Sequence, residues 1–389
     1  MMKNIGLVFW TIVAGVTCQN ALEEFKQGNI KFSARLYKEV LKENKNFIIS
    51  PFSIEVILGL TQAGAVGRTF NEFTSSLNLP STQNKTQEAL KEFLPSLQHN
   101  SDNLTLTTAN KLYLGKNLSI NKNFENIAKS IYHAGAQNVD FANAEKAAKI
   151  INDWVEQQTK NKIQNLIDPK LLNEFTRLVL VNTLYFSGTW TFPFEKRLTR
   201  KGKFYSGNNS TDVELMHLVE RFGYYDDREH KAQFLELKFR GGNVSLTVIL
   251  PHERNGLTAV EQNVEDLLKP RPLQTERVAV TLPKFTTSSS FALKPILQNL
   301  GLKIAFTKQA NFSELSQEPL YIDTVIQKAF VNVSESGVEA AAATAVIGAR
   351  ITAVEPVQPP PIMFKCDHPF LYIIKYNDVV LFSGRNEKV

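Results

Sequence analysis

Hydrophobic positions in the first half of the chain recur mostly at helical spacing. Apolar residues between positions 22 and 41 fall near a period of 3.6, which is typical of an amphipathic helix. Ser50 and Pro51 begin a second helix, because serine favours the N-cap and proline fits the first turn. Further helices are predicted over residues 87–98, 122–133 and 144–158.

Segments rich in β-branched and aromatic residues come mainly later in the chain and predict strands. They cover residues 104–114, 177–186, 234–239, 244–250, 278–284, 329–333, 370–375 and 379–382. Helices followed by hairpin-type strands are typical of an α+β domain, and neither a repeat nor a linker-like composition divides the sequence. We therefore expect one domain over residues 19–389.

The first residues are typical of a secretory signal peptide. Residues 1–4 carry one positive side chain, residues 5–16 are mostly apolar, and Cys18 is a suitable small residue for cleavage. The apolar stretch is too short for a membrane span. We expect cleavage after Cys18 and a secreted, soluble protein in which Cys366, in a strand and half-buried, is the lone thiol.

Net charge and glycosylation motifs give little further information about function. The excess of 44 basic over 38 acidic residues, a net charge of +6, is too small by itself to indicate nucleic-acid binding. Sequons for N-glycosylation occur at Asn84, Asn103, Asn117, Asn208, Asn209, Asn243, Asn311 and Asn332. Asn243 and Asn332 fall in strand-like runs and are expected to stay unmodified, and the others are expected on the surface.

Motifs that would indicate an enzyme are missing from the sequence. It has no nucleophile elbow, phosphate-binding loop or dinucleotide fingerprint, and its six histidines show no metal-ligand spacing. We therefore expect no catalytic residue and no metal. Residues 335–363 stand out, because an alanine- and threonine-rich run is followed by a proline-rich one. So long a segment without an amphipathic face is usually functional or disordered.

Motifs spread over residues 20 to 389 resemble, in order, those of the serpin family. They lie at residues 46–54, 151–155, 162–163, 181–190, 282–285, 367–370 and 382–385. The resemblance implies an α+β fold with three β-sheets, about nine helices, an exposed reactive loop and a metastable native state. It also implies a suicide-substrate inhibitor of a serine protease, whose cleaved loop inserts into the main sheet.

The start of residues 335–361, the predicted hinge and reactive loop, is compatible with insertion. Alternation in a strand would turn Val338, Ala340, Ala342 and Thr344 inward and Glu339 outward, so only small or β-branched uncharged side chains would face the core. The predicted hinge residues are Glu335, Gly337, Val338, Glu339, Ala340, Ala341, Ala342, Ala343 and Thr344.

Two further points bear on the hinge. Gly337 provides backbone freedom where the loop turns. Val338 departs from the family pattern, which usually has threonine or serine there.

The alternative function is that of a non-inhibitory serpin that acts as a carrier or binding protein, although such members commonly have a charged or bulky inward hinge residue.

The resemblance also implies which residues control the opening of the main sheet. These are Ser50, Ser53, Asn182, Trp190, Lys284 and Gln327. Gln327 stands where the family often has a histidine, which removes a titratable group. Lys284 is expected to pair with Glu335 across neighbouring strands. Trp190 either serves the opening or simply fills the core.

Counting sixteen residues from Glu335, as the family spacing implies, places the reactive bond at Ile351–Thr352. An elastase-like protease would suit this bond. Arg350 is the second candidate, because a trypsin-like pocket binds a guanidinium strongly. Glu355 is the third, although Pro356 would hinder that cleavage.

Some serpins are accelerated by sulfated polysaccharides. The matching basic residues here would be Lys85, Lys91, Lys111 and Lys116. A heparin-like glycosaminoglycan is therefore the one cofactor that we consider.

The loop and the composition resemble those of arthropod haemolymph serpins that restrain protease cascades in immunity. We expect a monomer that binds neither nucleic acid nor a membrane.

Overall fold

The computed structural model describes residues 5–97, 99–101, 103–241, 243–338 and 359–389. Over these ranges the chain forms nine α-helices: α1 (Ile5–Leu41), α2 (Pro51–Ala63), α3 (Gly67–Leu77), α4 (Gln83–Ser96), α5 (Lys122–Ser130), α6 (Ala144–Gln158), α7 (Leu257–Glu261), α8 (Val264–Leu268) and α9 (Leu293–Asn299).

Sixteen strands complete the described fold. They are β1 (Phe47–Ile49), β2 (His99–Ser101), β3 (Leu104–Gly115), β4 (Gly135–Val139), β5 (Leu178–Thr189), β6 (Arg200–Ser206), β7 (Asn209–Asp227), β8 (Ala232–Lys238), β9 (Val244–Pro251), β10 (Gln274–Pro283), β11 (Phe285–Ala292), β12 (Thr324–Val333), β13 (Gly337–Val338), β14 (Ile362–Lys365), β15 (Phe370–Tyr376) and β16 (Val379–Asn386).

The strands form two hydrogen-bonded sheets. The seven-stranded sheet has the order β11-β12-β13-β5-β3-β2, with β4 paired to β3. The nine-stranded sheet has the order β1-β16-β15-β9-β8-β7-β10-β14, with β6 paired to β7. The resemblance implied three sheets. Two of them are continuous here, because β7 is 19 residues long and pairs with β6 near its start and with β8 near its end.

The predicted α+β class is confirmed. Among the elements that the sequence analysis missed, several are short and several are polar on one face. Helix α3 buries only four of its eleven residues, so its apolar stripe is narrow. Strand β11 alternates buried and exposed residues along a serine- and threonine-rich edge strand. Polar side chains on the exposed face hide the strand pattern from a search for hydrophobic runs.

Three local expectations were wrong or stay open. Cys366 is fully buried and lies between β14 and β15 rather than half-buried in a strand. Asn243 precedes β9 and is exposed, so the reason for expecting it unmodified does not hold. Helix α1 runs through the predicted cleavage point, and cleavage itself stays a prediction. No helix among the described residues is long and apolar enough to cross a membrane.

Helix α2 lies at the centre of the core, and all thirteen of its residues are buried. One of them is a carboxylic acid, Glu55. The Asn29 amide of α1 donates a hydrogen bond to Glu55 Oε2 at 2.6 Å, while Oε1 has no partner among the described groups. Burial raises the pKa of Glu55 well above its ordinary value, and the bond from Asn29 opposes this only in part. Glu55 is therefore a neutral acid inside the folded protein.

We predict that Glu55→Gln increases stability in a pH-dependent way. The unfolded carboxyl ionises above its ordinary pKa of 4.5, whereas the folded one stays protonated, so wild-type stability falls as pH rises above this value. The loss is up to about 1.4 kcal/mol per pH unit while only the unfolded carboxyl is ionised. Unfolding midpoints of the two proteins should diverge steadily from pH 5 to pH 8. The same substitution at exposed Glu88 is the control, and a pH-independent difference for Glu55→Gln would contradict the prediction.

Candidate functional site

Gly337 and Val338, near the start of the long loop, lie inside the seven-stranded sheet. Strand β13 is placed between β12 and β5, where Val338 pairs with Val333 on one side and Gly188 on the other. Gly337 pairs with Thr189. The side chain of Val338 is fully buried. The beginning of the hinge is thus a short third strand between two longer ones.

Further along, β12 and β5 pair directly with each other. Their parallel ladder runs from Thr324 opposite Val179 to Gln327 opposite Asn182. Between this ladder and β13, residues 183–187 of β5 and 328–332 of β12 are not paired with each other in the described structure. The two strands are therefore joined by their own ladder at one end and separated by β13 at the other.

Gly337 occupies a position that no other residue fits. Its φ of +149° lies in the region that favours glycine, and a Cβ atom there would lie 1.9 Å from the carbonyl oxygen of Gly188. The Ser334 amide donates to the Gly337 carbonyl at 2.9 Å, and the Gly337 amide donates back at 3.3 Å. This tight reversal directs the chain from β12 into β13.

Trp190 holds the same reversal from the side. Its indole ring stacks on Phe239, with ring centroids 4.4 Å apart and an interplanar angle of 20°. The indole Nε1 donates to the Ser334 carbonyl at 3.0 Å, and the Trp190 amide donates to the Ser336 carbonyl at 3.0 Å. Trp190 therefore both fills the core and binds the turn, and its role in the opening of the sheet stays a prediction.

The structure brings Glu335 and Lys284 together, at 3.4 Å from Oε1 to Nζ. Lys284 also contacts Glu214 at 3.1 Å, and the Thr199 hydroxyl donates to Glu335 at 3.0 Å. Burial alone would raise the pKa of Glu335. Its own amide, the Thr199 hydroxyl and the Lys284 charge outweigh that effect and hold the pKa below its ordinary value. Nothing in the sequence marks Thr199, because only the fold places it beside Glu335.

Gln327 joins the main sheet to the start of α2. It accepts a hydrogen bond from the Ser50 amide at 3.0 Å, and its own amide donates to the Ser50 carbonyl at 2.9 Å and to the Ser53 hydroxyl at 2.8 Å. The Ser50 hydroxyl donates to the Leu381 carbonyl at 2.6 Å. This network connects β12, α2 and β16 immediately beside the last paired residues of β12 and β5.

Asn182 continues the same row of polar residues across the sheet. Its Nδ2 donates to Asn110 Oδ1 on β3 at 2.5 Å, and Asn110, Asn182 and Gln327 occupy matching register positions on three adjacent strands. All three are buried, and Asn182 Oδ1 has no hydrogen-bond partner in the described structure. The sequence analysis missed Asn110, whose role depends on strand register.

Comparison with known proteins agrees with this arrangement. Residues 27–388 match the family model described as Serpin (serine protease inhibitor). The chain is 32% identical to Antitrypsin of Bombyx mori, over 98% of this chain and 99% of that protein. It is 33% identical to Alaserpin of Manduca sexta, over 99% of both. The chain belongs to the serpin family.

Solved serpin structures superpose closely on it. Serpin48 of the insect Tenebrio molitor, described as highly specific, has a TM-score of 0.87 at 40% identity and covers 94% of this chain and 98% of its own. Human thyroxine-binding globulin, complexed with thyroxine, has a TM-score of 0.85 at 27% identity, covering 95% and 99%. A highly specific insect serpin and a thyroxine-binding globulin therefore share this serpin's fold, so the fold alone does not decide between inhibition and ligand binding.

The remaining predicted loop residues of this serpin lie outside the described residues. They are Glu339, Ala340, Ala341, Ala342, Ala343, Thr344 and the reactive-bond candidates Arg350, Ile351, Thr352 and Glu355. The loop's two ends are nevertheless defined. It leaves from β13 in the seven-stranded sheet and returns at β14, an edge strand of the nine-stranded sheet.

The four lysines considered for polyanion binding lie on separate elements. Lys85 and Lys91 belong to α4, Lys111 to β3, and Lys116 to the turn after β3. Lys85 pairs with Glu24 at 2.7 Å, and Lys116 pairs with Asp140 at 3.3 Å. Lys111 lies over the rings of Tyr113 and Trp154. In this serpin Lys91 is the exposed member that belongs to no ion pair within the described residues.

We predict that Gly337→Ala expels β13 from the sheet, because the added Cβ would overlap the Gly188 carbonyl. Loss of the reversal should expose the Trp190 indole and shift tryptophan emission to longer wavelength. The shift should vanish in a Trp190→Phe background. Gly207→Ala is the matched control, since Gly207 also has a positive φ but no atom lies within 4 Å of its added Cβ. Identical emission of Gly337→Ala and wild type would refute the prediction.

Proposed function

We propose that this serpin is a secreted suicide-substrate inhibitor of serine proteases. The observation that carries the proposal is the position of β13, which places the start of the hinge between β12 and β5 where those strands are apart. Membership of the serine protease inhibitor family supports protease inhibition as the general activity. The trapping mechanism and the target class are our inference.

Loop insertion would continue the ladder that β13 begins. Each inserted residue advances the strand by about 3.3 Å and pairs its backbone with the free edges of β12 and β5. The alternation that buries Val338 would turn Ala340, Ala342 and Thr344 toward the core. Full insertion must also separate Gln327 from Asn182, so the polar row beside α2 would set the resistance to opening.

The chemistry would come from the protease. Its serine oxygen bonds to the carbonyl carbon of the reactive residue, the peptide C–N bond breaks, and the new amine leaves with a proton from the protease's histidine. The ester then links the two proteins. Insertion of the cleaved loop would carry the protease away from its docking position and distort its active site before water hydrolyses the ester. The serpin would contribute the loop and the position between β12 and β5 into which the cleaved loop inserts.

Secretion and a role in an extracellular protease cascade belong to the same proposal. The apolar segment at residues 5–16 behind a positive start supports export. The insect relatives Antitrypsin and Alaserpin support comparison with insect inhibitors. We expect the active form to be a monomer that begins after Cys18.

The alternative function, a carrier or binding protein, rests on the fold that this serpin shares with thyroxine-binding globulin. The small, uncharged inward residues predicted for the hinge favour inhibition, because a carrier has no need to insert its loop.

Polysaccharide binding at Lys85, Lys91, Lys111 and Lys116 stays a separate prediction. A salt-sensitive interaction with heparin would support it.

We predict that Ala342→Arg converts the inhibitor into a substrate. An inward guanidinium would have to be buried beneath the sheet on insertion, which costs several kcal/mol. Wild type incubated with trypsin or elastase should give a covalent complex that survives boiling in detergent. Ala342→Arg should give cleaved serpin without this band.

Ala343→Arg is the matched control, since the same side chain on the outward face stays in solvent and should leave the complex intact. Complexes of equal yield from both variants would refute the alternation on which insertion depends. Cleavage of wild type without any complex would favour the carrier function.

The reactive bond is predicted at Ile351–Thr352. Mass spectrometry of the C-terminal peptide released from the complex should find Thr352 at its N-terminus. Ile351 would indicate cleavage after Arg350, and Pro356 would indicate cleavage after Glu355. A cut before Ala345 would contradict all three assignments, because too little loop would remain to carry the protease.

A further inference from the structure

The part of the nine-stranded sheet nearest the loop's return has an unusual exposed face. Strands β7, β10 and β14 lie side by side there, and their register aligns residues in rows. The central row consists of Val219, Ala279 and Met363. We call the exposed side of these three strands the β14 face.

The central row of the β14 face is apolar although it is exposed. Val219 is 48% exposed and Met363 is 63% exposed, and both are among the large hydrophobic side chains most accessible in the described structure. The opposite side of the same strands is core, where Val278, Val280 and Phe364 are buried. A sheet with one buried side normally has polar residues on the other. The apolar row is therefore not required by the packing of the sheet.

The row beside it places two arginines directly opposite each other. Arg221 of β7 pairs in register with Arg277 of β10, and neither guanidinium forms an ion pair with a described residue. Like charges directly opposite each other destabilise an antiparallel pair. On the other side of the apolar row lies Lys365, which is paired with Asp367 at 2.9 Å. Among the described residues, the fold thus places an arginine pair without an acidic partner next to an exposed apolar row.

The β14 face is continuous with the loop itself. Strand β14 is the segment to which the loop returns, and Met363 lies on it. Arg277 Nη1 donates to the Pro359 carbonyl at 3.3 Å, so the arginine pair lies at the loop's end. A protease bound to the loop would therefore rest close to these residues.

We propose that the β14 face is a secondary docking site for the attacked protease, with Arg221 and Arg277 binding an acidic patch and Val219 and Met363 an apolar rim. This inference rests on the proposed inhibitory function. Arginine and methionine are enriched at protein interfaces, and complementary charge raises association rates more than it raises final affinity. Among proteases that cleave the same bond, the site would discriminate according to the charge of the protease surface.

The experiment compares rates of trapping by the full chain. Second-order rate constants are measured with anionic trypsin, cationic trypsin and elastase, for wild type, Arg221→Glu, Arg221→Glu/Arg277→Glu and Val219→Ser/Met363→Ser. The single variant is included because Arg277 also contacts Pro359. The matched control is Arg68→Glu/Lys308→Glu, which makes the same charge change at exposed cations of α3 and the segment after α9.

At about 0.05 M NaCl we expect wild type to trap anionic trypsin faster than cationic trypsin. The double arginine variant should lose at least about tenfold in rate toward anionic trypsin, and the single variant a smaller factor. Much of the difference should disappear at about 0.5 M NaCl, because salt screens exposed charges. The apolar variant should slow trapping without removing the salt dependence. The complex yield per mole of serpin and the unfolding midpoint should not change.

Five results would overturn the proposal. Trapping rates of the double arginine variant within about twofold of wild type would rule out the docking site. An equal loss of rate in the control variant would rule it out as well. Both results would leave the proposed inhibitory function intact. No complex with any of the three proteases would overturn both. Loss of heparin binding without a change in protease rates would make the face a polyanion site. Dimerisation that Val219→Ser/Met363→Ser abolishes would make it a contact between copies of this chain.

Discussion

The structure depends on the close approach of Gly337 to the carbonyl of Gly188. Because no side chain intervenes, the hinge fits between β12 and β5 and holds them apart at one end of the sheet. The same two strands are joined at the other end by their own ladder. Between these two regions, β12 and β5 are not paired with each other in the described structure. Insertion of the loop, as proposed, would place a strand there that pairs with both edges.

Two groups of contacts lie at the two ends of this unpaired stretch. Glu335, Lys284, Thr199 and Trp190 bind the reversal at the open end. Gln327 binds Ser50 and Ser53 at the closed end. The first group lies where the hinge begins, and we expect the second to resist separation of the strands below it. The hydrogen bonds of the first group are partly buried and those of the second are fully buried. The buried bonds of the second group would be lost together if a strand moved, so opening is expected to be cooperative.

The loop connects this gap to a different sheet. Because the loop starts at β13 and ends at β14, cleavage in the proposed mechanism would free the hinge side to move, while β14 would stay paired with β10. The apolar row and arginine pair of the β14 face stay with the fixed side. Recognition and trapping would therefore use different parts of the molecule, and a protease could be selected before the loop is cut.

The sequence by itself determined the α+β class, the helices with wide apolar stripes, the family motifs and the small-residue alternation after Val338. These features are local or periodic, so they can be seen in a single chain. The sequence could not locate Thr199 beside Glu335, Asn110 beside Asn182, or Arg221 beside Arg277, because strand register joins residues that lie far apart along the chain. It also missed β11 and the full length of β7, whose polar exposed residues interrupt the hydrophobic pattern. Only tertiary structure decided that β13 is already seated in the sheet, since that depends on a backbone contact with Gly188, 149 residues earlier in the chain.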